Sequence, residues 1–382
     1  MTTTAPVPDD RAAPDPDAAP TPAAAPTPAA APTPGAAPAP GAAPTPAAAP
    51  TPAAAPAPDP APAPGTAPAP GASTARPAAA PAAHGSSPWQ LARRELGRRA
   101  AVRVSLCLVL LFVLMAATAP WLGALGGWSP EEFDKTAIDP YLGGQPLGSL
   151  GGISPEHWLG VEPVTGRDLF ARVVHGAQVS LLIAFAATAI VVLAGTSAGI
   201  AAGYFGGRTD AVLSRLMDLT MSFPSLIFMI AMLSVAKDVN RIVLMTAVIG
   251  LFGWPGVARV VRGQTLSLKH REYVDAARVG GSSSWRILTR EILPGVLGPV
   301  IAYTTLLIPG MISTEAALSY LGVGVRPPTP SWGQMIAESV AFYETDPMYF
   351  VIPSVFLFLA VLAFTLLGDA LRDILDPRGG RT

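Results

Sequence analysis

Arg271-Glu-Tyr-Val-Asp-Ala-Ala-Arg-Val-Gly-Gly281, continued by Ser282-Ser-Ser284, Trp285 and Ile292-Leu-Pro294, is a polar interruption in a strongly apolar half of the chain. Its spacing predicts a short amphipathic helix, because residues three and four apart stack on one side. Tyr273, Ala276, Ala277 and Gly280 then share a small, smooth face. Arg271, Glu272, Asp275 and Arg278 line the other side, where Arg271 with Asp275 and Asp275 with Arg278 can pair at about a few tenths of a kcal/mol each. Gly281 suits the left-handed residue that closes a helix, and Ser282 to Ser284 offer hydroxyls to cap the next one. The expected product is a rigid helix held between two membrane spans, with a face shaped to enter another protein's groove.

The apolar runs on either side explain why such a helix matters. Half of the 382 residues are apolar and only 13% are charged, and several runs of about 20 apolar residues are long enough to cross a bilayer. An all-α polytopic membrane protein follows. Spans are expected at about 104–122, 179–205, 216–235, 242–261, 295–321 and 347–367, with the polar helix in a loop over 262–294. Most of the 43 prolines fall instead in residues 1–88, an Ala/Pro/Thr repeat. Proline removes donors, and alanine and threonine offer too little apolar area for a core, so this tail is expected to be a disordered cytoplasmic spacer.

Lys and Arg stay on the cytoplasmic side of membrane proteins. Arg93, Arg94, Arg98, Arg99 and Arg103 precede the first span, Arg208 and Arg215 follow the second, and the densest basic cluster surrounds the polar helix. Both termini and that helix are therefore expected inside. The acidic, glycine-rich segment from Gly123 to about Gln178 and the loop Gly322–Asp346 are expected outside. Leu169, Phe170, Val173, Val174 and Ala177 share a helical face that suits a helix lying in the outer interface. Gly195, Gly199 and Gly203 recur at four-residue steps, which is a packing stripe that lets another backbone approach. Phe223-Pro-Ser225 should kink the third span.

Glu272-Tyr-Val-Asp-Ala-Ala277, Gly281 and the closing Ile292-Leu-Pro294 resemble the EAA loop by which permease subunits of ABC importers contact their ATPases. Asp275 stands where that family usually has Glu, and Glu291 where it is often apolar. With Trp158-Leu-Gly160, Glu162, Gly166-Arg-Asp168 and Pro327-Pro-Thr-Pro-Ser-Trp332-Gly333, the chain is similar to the C-type permease of dipeptide/oligopeptide importers from about residue 91 to 378. The resemblance implies a type I importer permease fold in a bacterial cytoplasmic membrane. It also implies a second related permease, two ATPase subunits carrying ATP and Mg, and an extracytoplasmic binding protein. Glu272, Tyr273, Asp275, Ala276, Ala277, Gly281 and Pro294 would couple to the ATPases. Glu315, an acid deep in the fifth span, would face the translocation path or the companion permease, or else be a satisfied structural acid.

Other chemistry is thinly represented. No glycine precedes Lys135, Lys237 or Lys269 in a phosphate-loop pattern, and neither HExxH nor GxSxG occurs. His84, His157, His175 and His270 are scattered without metal spacing, and Cys107 is the lone cysteine. A net charge of -1 argues against nucleic-acid binding. The expectation is thus no catalytic residue, metal or cofactor on this chain; the family resemblance implies di- or oligopeptide cargo. A nickel or nickel-chelate importer and a non-transporting membrane scaffold are the alternatives.

Overall fold

The computed structural model describes residues 100–236 and 239–375. The expectations for the tail over 1–88, for Arg93 to Arg99, for Lys237 and for the closing Asp376-Pro-Arg378 fall outside these residues.

Among the described residues four helices are long and apolar enough to cross a membrane, and the number is six with each of two bent pairs taken as one span. Helices α1 (Ala100–Ala117) and α2 (Ala119–Leu125) meet at 79° within the stretch 104–122 expected as the first span. Pro120, in the first turn of α2, cannot donate back into α1, and the Thr118 hydroxyl takes the Leu114 carbonyl at 2.6 Å. Helix α3 (Leu169–Phe205) runs 37 residues without a break. The Asp168 carboxylate caps it by accepting from the Ala171 N–H at 2.7 Å. At about 1.5 Å per residue it is some 55 Å long, well beyond the roughly 30 Å of hydrocarbon it has to cross.

Leu169, Val173, Val174 and Ala177, expected in a separate interfacial helix, are instead the buried first turns of α3. The physical reason is Trp332. Its indole donates to the Val173 carbonyl at 3.1 Å and packs over Gly176, so this stretch is covered by protein.

Helices α4 (Gly207–Ser222) and α5 (Ser225–Val235) bend by 83° at the predicted Phe223-Pro224 break. Helix α6 (Arg241–Leu268) carries Pro255 in its interior. The short α7 (Glu272–Val279) and α8 (Ser284–Ile287) lead through a π turn at Leu288–Ile292 into α9 (Leu293–Tyr320). Helix α10 (Trp332–Ser339) and the closing α11 (Pro347–Leu375) complete the bundle. Among the described residues the departures from an all-α reading are an antiparallel pair, β1 (Ile138–Asp139) with β2 (Gln145–Pro146), and an isolated bridge from Val161 to Asp168.

Helix α3 is the central post, and its most extensive partner is α6. A Cβ at Gly195 would lie 2.6 Å from Val257 Cβ, and one at Gly203 would lie 2.6 Å from Thr265 Cβ. Helix α6 reciprocates: Gly250 and Gly253 admit Ile190 and Val191 of α3. Without a hydrophobic drive between helices in lipid, such close backbone approach is what holds them together. Helices α1, α9 and α11 complete the core, with Phe112 of α1 edge-on to Trp332 of α10 at 5.7 Å.

Candidate functional site

At one end of the bundle, where α3 and α6 finish and α9 begins, α7 connects the two spans and packs on the Ser284–Ile287 and Leu288–Ile292 turns. Glu272 and Asp275 sit in its first turn and Arg278 in its last, which complements the helix dipole. Of the two ion pairs the spacing allows, Asp275 takes Arg278 at 2.7 Å on the exposed face. Gly281 has a φ of +74°, with its N–H on the Arg278 carbonyl at 3.1 Å and the Ser282 N–H on Ala277 at 3.0 Å. This paired closure satisfies two end carbonyls and turns the chain sharply. No side chain crowds Gly281, so its backbone angle and not its size makes glycine the fitting residue. Ser283 then caps α8 by accepting from Arg286 N–H at 3.4 Å.

Val274 anchors α7. It is fully buried in the core cluster that also holds Ile287, Ile292 and Val296. Ala277, expected on the docking face, is half-buried against this same cluster. The face left outward carries Tyr273, Ala276 and Val279, with Glu272, Asp275 and Arg278 beside it. Val279 is 90% exposed and Trp285 75% exposed. Neither was singled out from the sequence as a docking residue. Their signal is an apolar residue at a position where the chain has no apolar partner, which only the fold can show. Pro294 is exposed in the first turn of α9. It follows the π turn, a distortion that tends to mark functional sites.

Glu315, read from the sequence as facing a translocation path or a companion permease or else as a satisfied structural acid, lies 0% exposed inside this chain. Ser180 of α3 donates to its carboxylate at 2.9 Å and Ser319 of α9 at 2.8 Å. Ser180 also accepts from the Trp332 N–H at 3.3 Å, and Ser319 from the Val325 N–H at 3.2 Å. The acid therefore ties α3, α9 and the segment opening α10 into one knot. Ser319 lies one turn along the same helix and is legible from the sequence, whereas Ser180 comes from a helix 135 residues away and is not.

The opposite, loop-rich end is welded by two charged networks. Glu162 accepts from Arg167 at 2.6 Å, pairs with Arg172, and accepts from the Tyr349 hydroxyl at 3.2 Å. Arg172 also donates to the carbonyls of Pro130 and Pro328 and to the Gln334 side chain. His157 stands between Asp168 at 2.9 Å and Asp134 at 3.3 Å, stacked on Trp128. The Thr136 hydroxyl holds the Asp134 carboxyl below the usual range, whereas burial pushes that of Asp168 up. Glu338, Tyr349 and Gln334 were not legible as partners of Glu162 and Arg172, since each lies more than 150 residues along the chain. Among the described residues no group of His, Cys, Asp and Glu could hold a metal ion.

Residues 195–380 match the family described as binding-protein-dependent transport system inner membrane component. Residues 87–141 match the N-terminal TM domain of oligopeptide transport permease C. The chain is 36% identical over 294 residues to the oligopeptide transport system permease protein OppC of Haemophilus influenzae, covering 77% of this chain and 90% of that one. It is 35% identical over 294 residues to the glutathione transport system permease protein GsiD of Pectobacterium atrosepticum, with 76% and 92% covered. The dipeptide transport system permease protein DppC of Alkalihalophilus pseudofirmus is 34% identical over 293 residues, with 76% and 90% covered. A six-span helical bundle, an EAA-type helix between two of its spans, and relatives matched along nine-tenths of their length place this chain among the C-type permease subunits of dipeptide/oligopeptide ABC importers.

Proposed function

We propose that this permease works in an ATP-driven importer of di- or oligopeptides, beside a related second permease, two ATPase subunits and an extracytoplasmic binding protein. The α7 end faces the cytoplasm with both chain termini, in a bacterial inner membrane, and the loop-rich end receives the binding protein. ATP and Mg belong to the ATPase subunits. The cargo reading draws on the relatives, whose names specify oligopeptide, dipeptide and glutathione transport.

The observation that carries the reading is the way α7 is mounted. An exposed outer face of Tyr273, Ala276 and Val279 backs directly onto Val274, which is fixed in the core with Ile287 and Ile292. A helix held so stiffly moves as a lever. Closure of the ATPases on it would shift α9 through the Ile287–Ile292 segment and tilt the spans between inward-open and outward-open states. Binding energy of a soluble engine is thereby turned into motion of membrane helices.

The test is reconstitution with the partner subunits in proteoliposomes. Peptide-loaded binding protein should stimulate ATP hydrolysis and labelled peptide should accumulate inside. Nickel-chelate uptake without peptide uptake would overturn the cargo, and ATP hydrolysis indifferent to binding protein would point to a scaffold.

A further inference from the structure

Helix α1 has 18 residues. At about 1.5 Å per residue it is some 27 Å long, close to the roughly 30 Å of hydrocarbon in a bilayer. The 79° bend at Thr118 therefore falls where α1 reaches a membrane boundary, and it lays α2 close to the membrane plane. No charged residue occurs between Arg103 and Glu131, so nothing in α2 forces it into water.

Helix α2 is held by protein on one side only. Ala119 and Gly123 are buried. A Cβ at Gly123 would lie 2.8 Å from His175 Cε1, and one at Gly126 would lie 3.3 Å from Phe170 Cδ1, so this side is pressed on the start of α3. Trp121 and Leu125, four residues apart and therefore on a shared face, are each 72% exposed. The exposed Leu110, Leu111 and Leu114 of α1 lead into this face. A second aromatic stands at the same level. Trp158 packs at 4.9 Å on Phe170, the side chain that borders Gly126, and is itself half-exposed with its indole N–H on the Pro155 carbonyl at 3.1 Å.

The chemistry of the face selects its occupant. Helix contacts within a membrane favour small residues that let backbones approach, as between α3 and α6, whereas Trp121 and Leu125 are bulky. A surface for a soluble protein has a polar rim, and α2 has no charge to supply one. Tryptophan is enriched at the boundary between lipid and water, where its ring is apolar and its N–H stays wet.

We propose that α2 lies in the phospholipid interface at the loop-rich end, with Trp121 and Leu125 among the chain segments nearest the headgroups and Trp158 beside them. It is an anchor that does not cross the bilayer. Through Gly123 on His175 it sets the height at which α3 enters the membrane. The inference depends on α1 crossing a bilayer and on neither the cargo nor the ATPase partners.

The test is electron paramagnetic resonance on the assembled complex in nanodiscs of phosphatidylcholine and phosphatidylglycerol. Nitroxide labels on Trp121→Cys and on Leu125→Cys, each in a Cys107→Ser background, are compared for collision with oxygen and with a water-soluble nickel chelate. Both should sit about 5–10 Å into the headgroup boundary at the same depth, whereas four residues of an upright helix would differ by about 6 Å. A label on Leu114→Cys should lie deeper, and one on Tyr141→Cys, 96% exposed at the hairpin, should lie in water. Two labels as open to nickel as that on Tyr141→Cys overturn the proposal. Shielding from both reagents also overturns it, since another protein chain would then cover the face, and so does a depth difference of an upright helix. A Leu114→Cys label in water removes the span and the proposal with it. Trp121→Phe gives a second reading: lipid brominated near the headgroup end of its chains should quench a smaller share of tryptophan fluorescence in this variant than in the wild type, and equal shares overturn the contact.

Discussion

Gly199 of α3 lies so close to α6 that a Cβ there would sit 2.6 Å from the Ala258 carbonyl oxygen and 2.7 Å from Val261 Cβ. The obstacle is main chain, which cannot rotate away as a side-chain tip could. Gly199→Val should therefore destabilise the bundle by about 1–3 kcal/mol or more through overpacking. Gly263→Ala on α6, where nothing lies within 4 Å, should instead be neutral or stabilising by roughly 0.5–1 kcal/mol. Thermal unfolding of the two purified variants in one detergent checks the pair, and equal midpoints would refute the close contact.

Gly281→Leu replaces a residue held at φ +74° by one that resists that angle. About 1–2 kcal/mol of strain should loosen the closure of α7 while the spans insert normally. Ala276→Glu leaves the closure intact and changes only the exposed face. Both should lower the ATP hydrolysis stimulated by loaded binding protein, and Gly281→Leu alone should increase proteolysis near α7. Full stimulation in both variants would detach α7 from ATPase coupling. Ala277→Glu is the harsher change, since it pushes a charge toward the core cluster.

Replacing Glu315 by Leu leaves the Ser180 and Ser319 hydroxyls facing an apolar group, a loss of about 1–3 kcal/mol per unsatisfied partner. Glu315→Gln should be milder, because serine hydroxyls can turn to donate or accept. Transport per assembled complex should be unchanged in Glu315→Gln. A large fall in uptake with normal assembly would return this residue to the translocation path.

Arg172→Leu strips Glu162 of one of two guanidinium partners and orphans the carbonyls of Pro130 and Pro328. Breaking one side of a buried ion pair costs about 3–5 kcal/mol, and Lys should not restore it because it lacks the planar fork. Loop cleavage by protease added on the loop-rich side should rise in both variants. Protection equal to wild type would show the network to be dispensable.

Asp134 contributes stability of the opposite pH sense from an acid raised by burial. Its carboxyl is lowered, so its contribution is fully present above the ordinary value of 3.8 and is lost as pH falls through the folded value. The difference in unfolding temperature between wild type and Asp134→Asn should be constant from neutrality down to that region and shrink below it. A difference that grows with acidity would contradict the assigned direction.

Periodicity and composition alone were enough for the six-span class, the Phe223-Pro224 break, the glycine stripe of α3 and the Gly281 stop, because each depends on neighbours within a turn or two along the chain. The bend at Thr118 and the unbroken start of α3 were not legible, since the first needs the geometry around Pro120 and the second needs Trp332, far along the chain, as cover. Helix α7 shows both limits. Its residues announce an amphipathic helix, yet which of two adjacent alanines faces outward was settled by Val274 entering the buried core cluster, with Ala277 packed against it. Likewise Glu315 reads as an intramembrane acid from sequence, while its burial follows from serines on two helices. Local backbone preference and apolar period are written in order along the chain; the partner that satisfies a charge or fills a face is a matter of which distant segments pack together, and only the tertiary structure decides that.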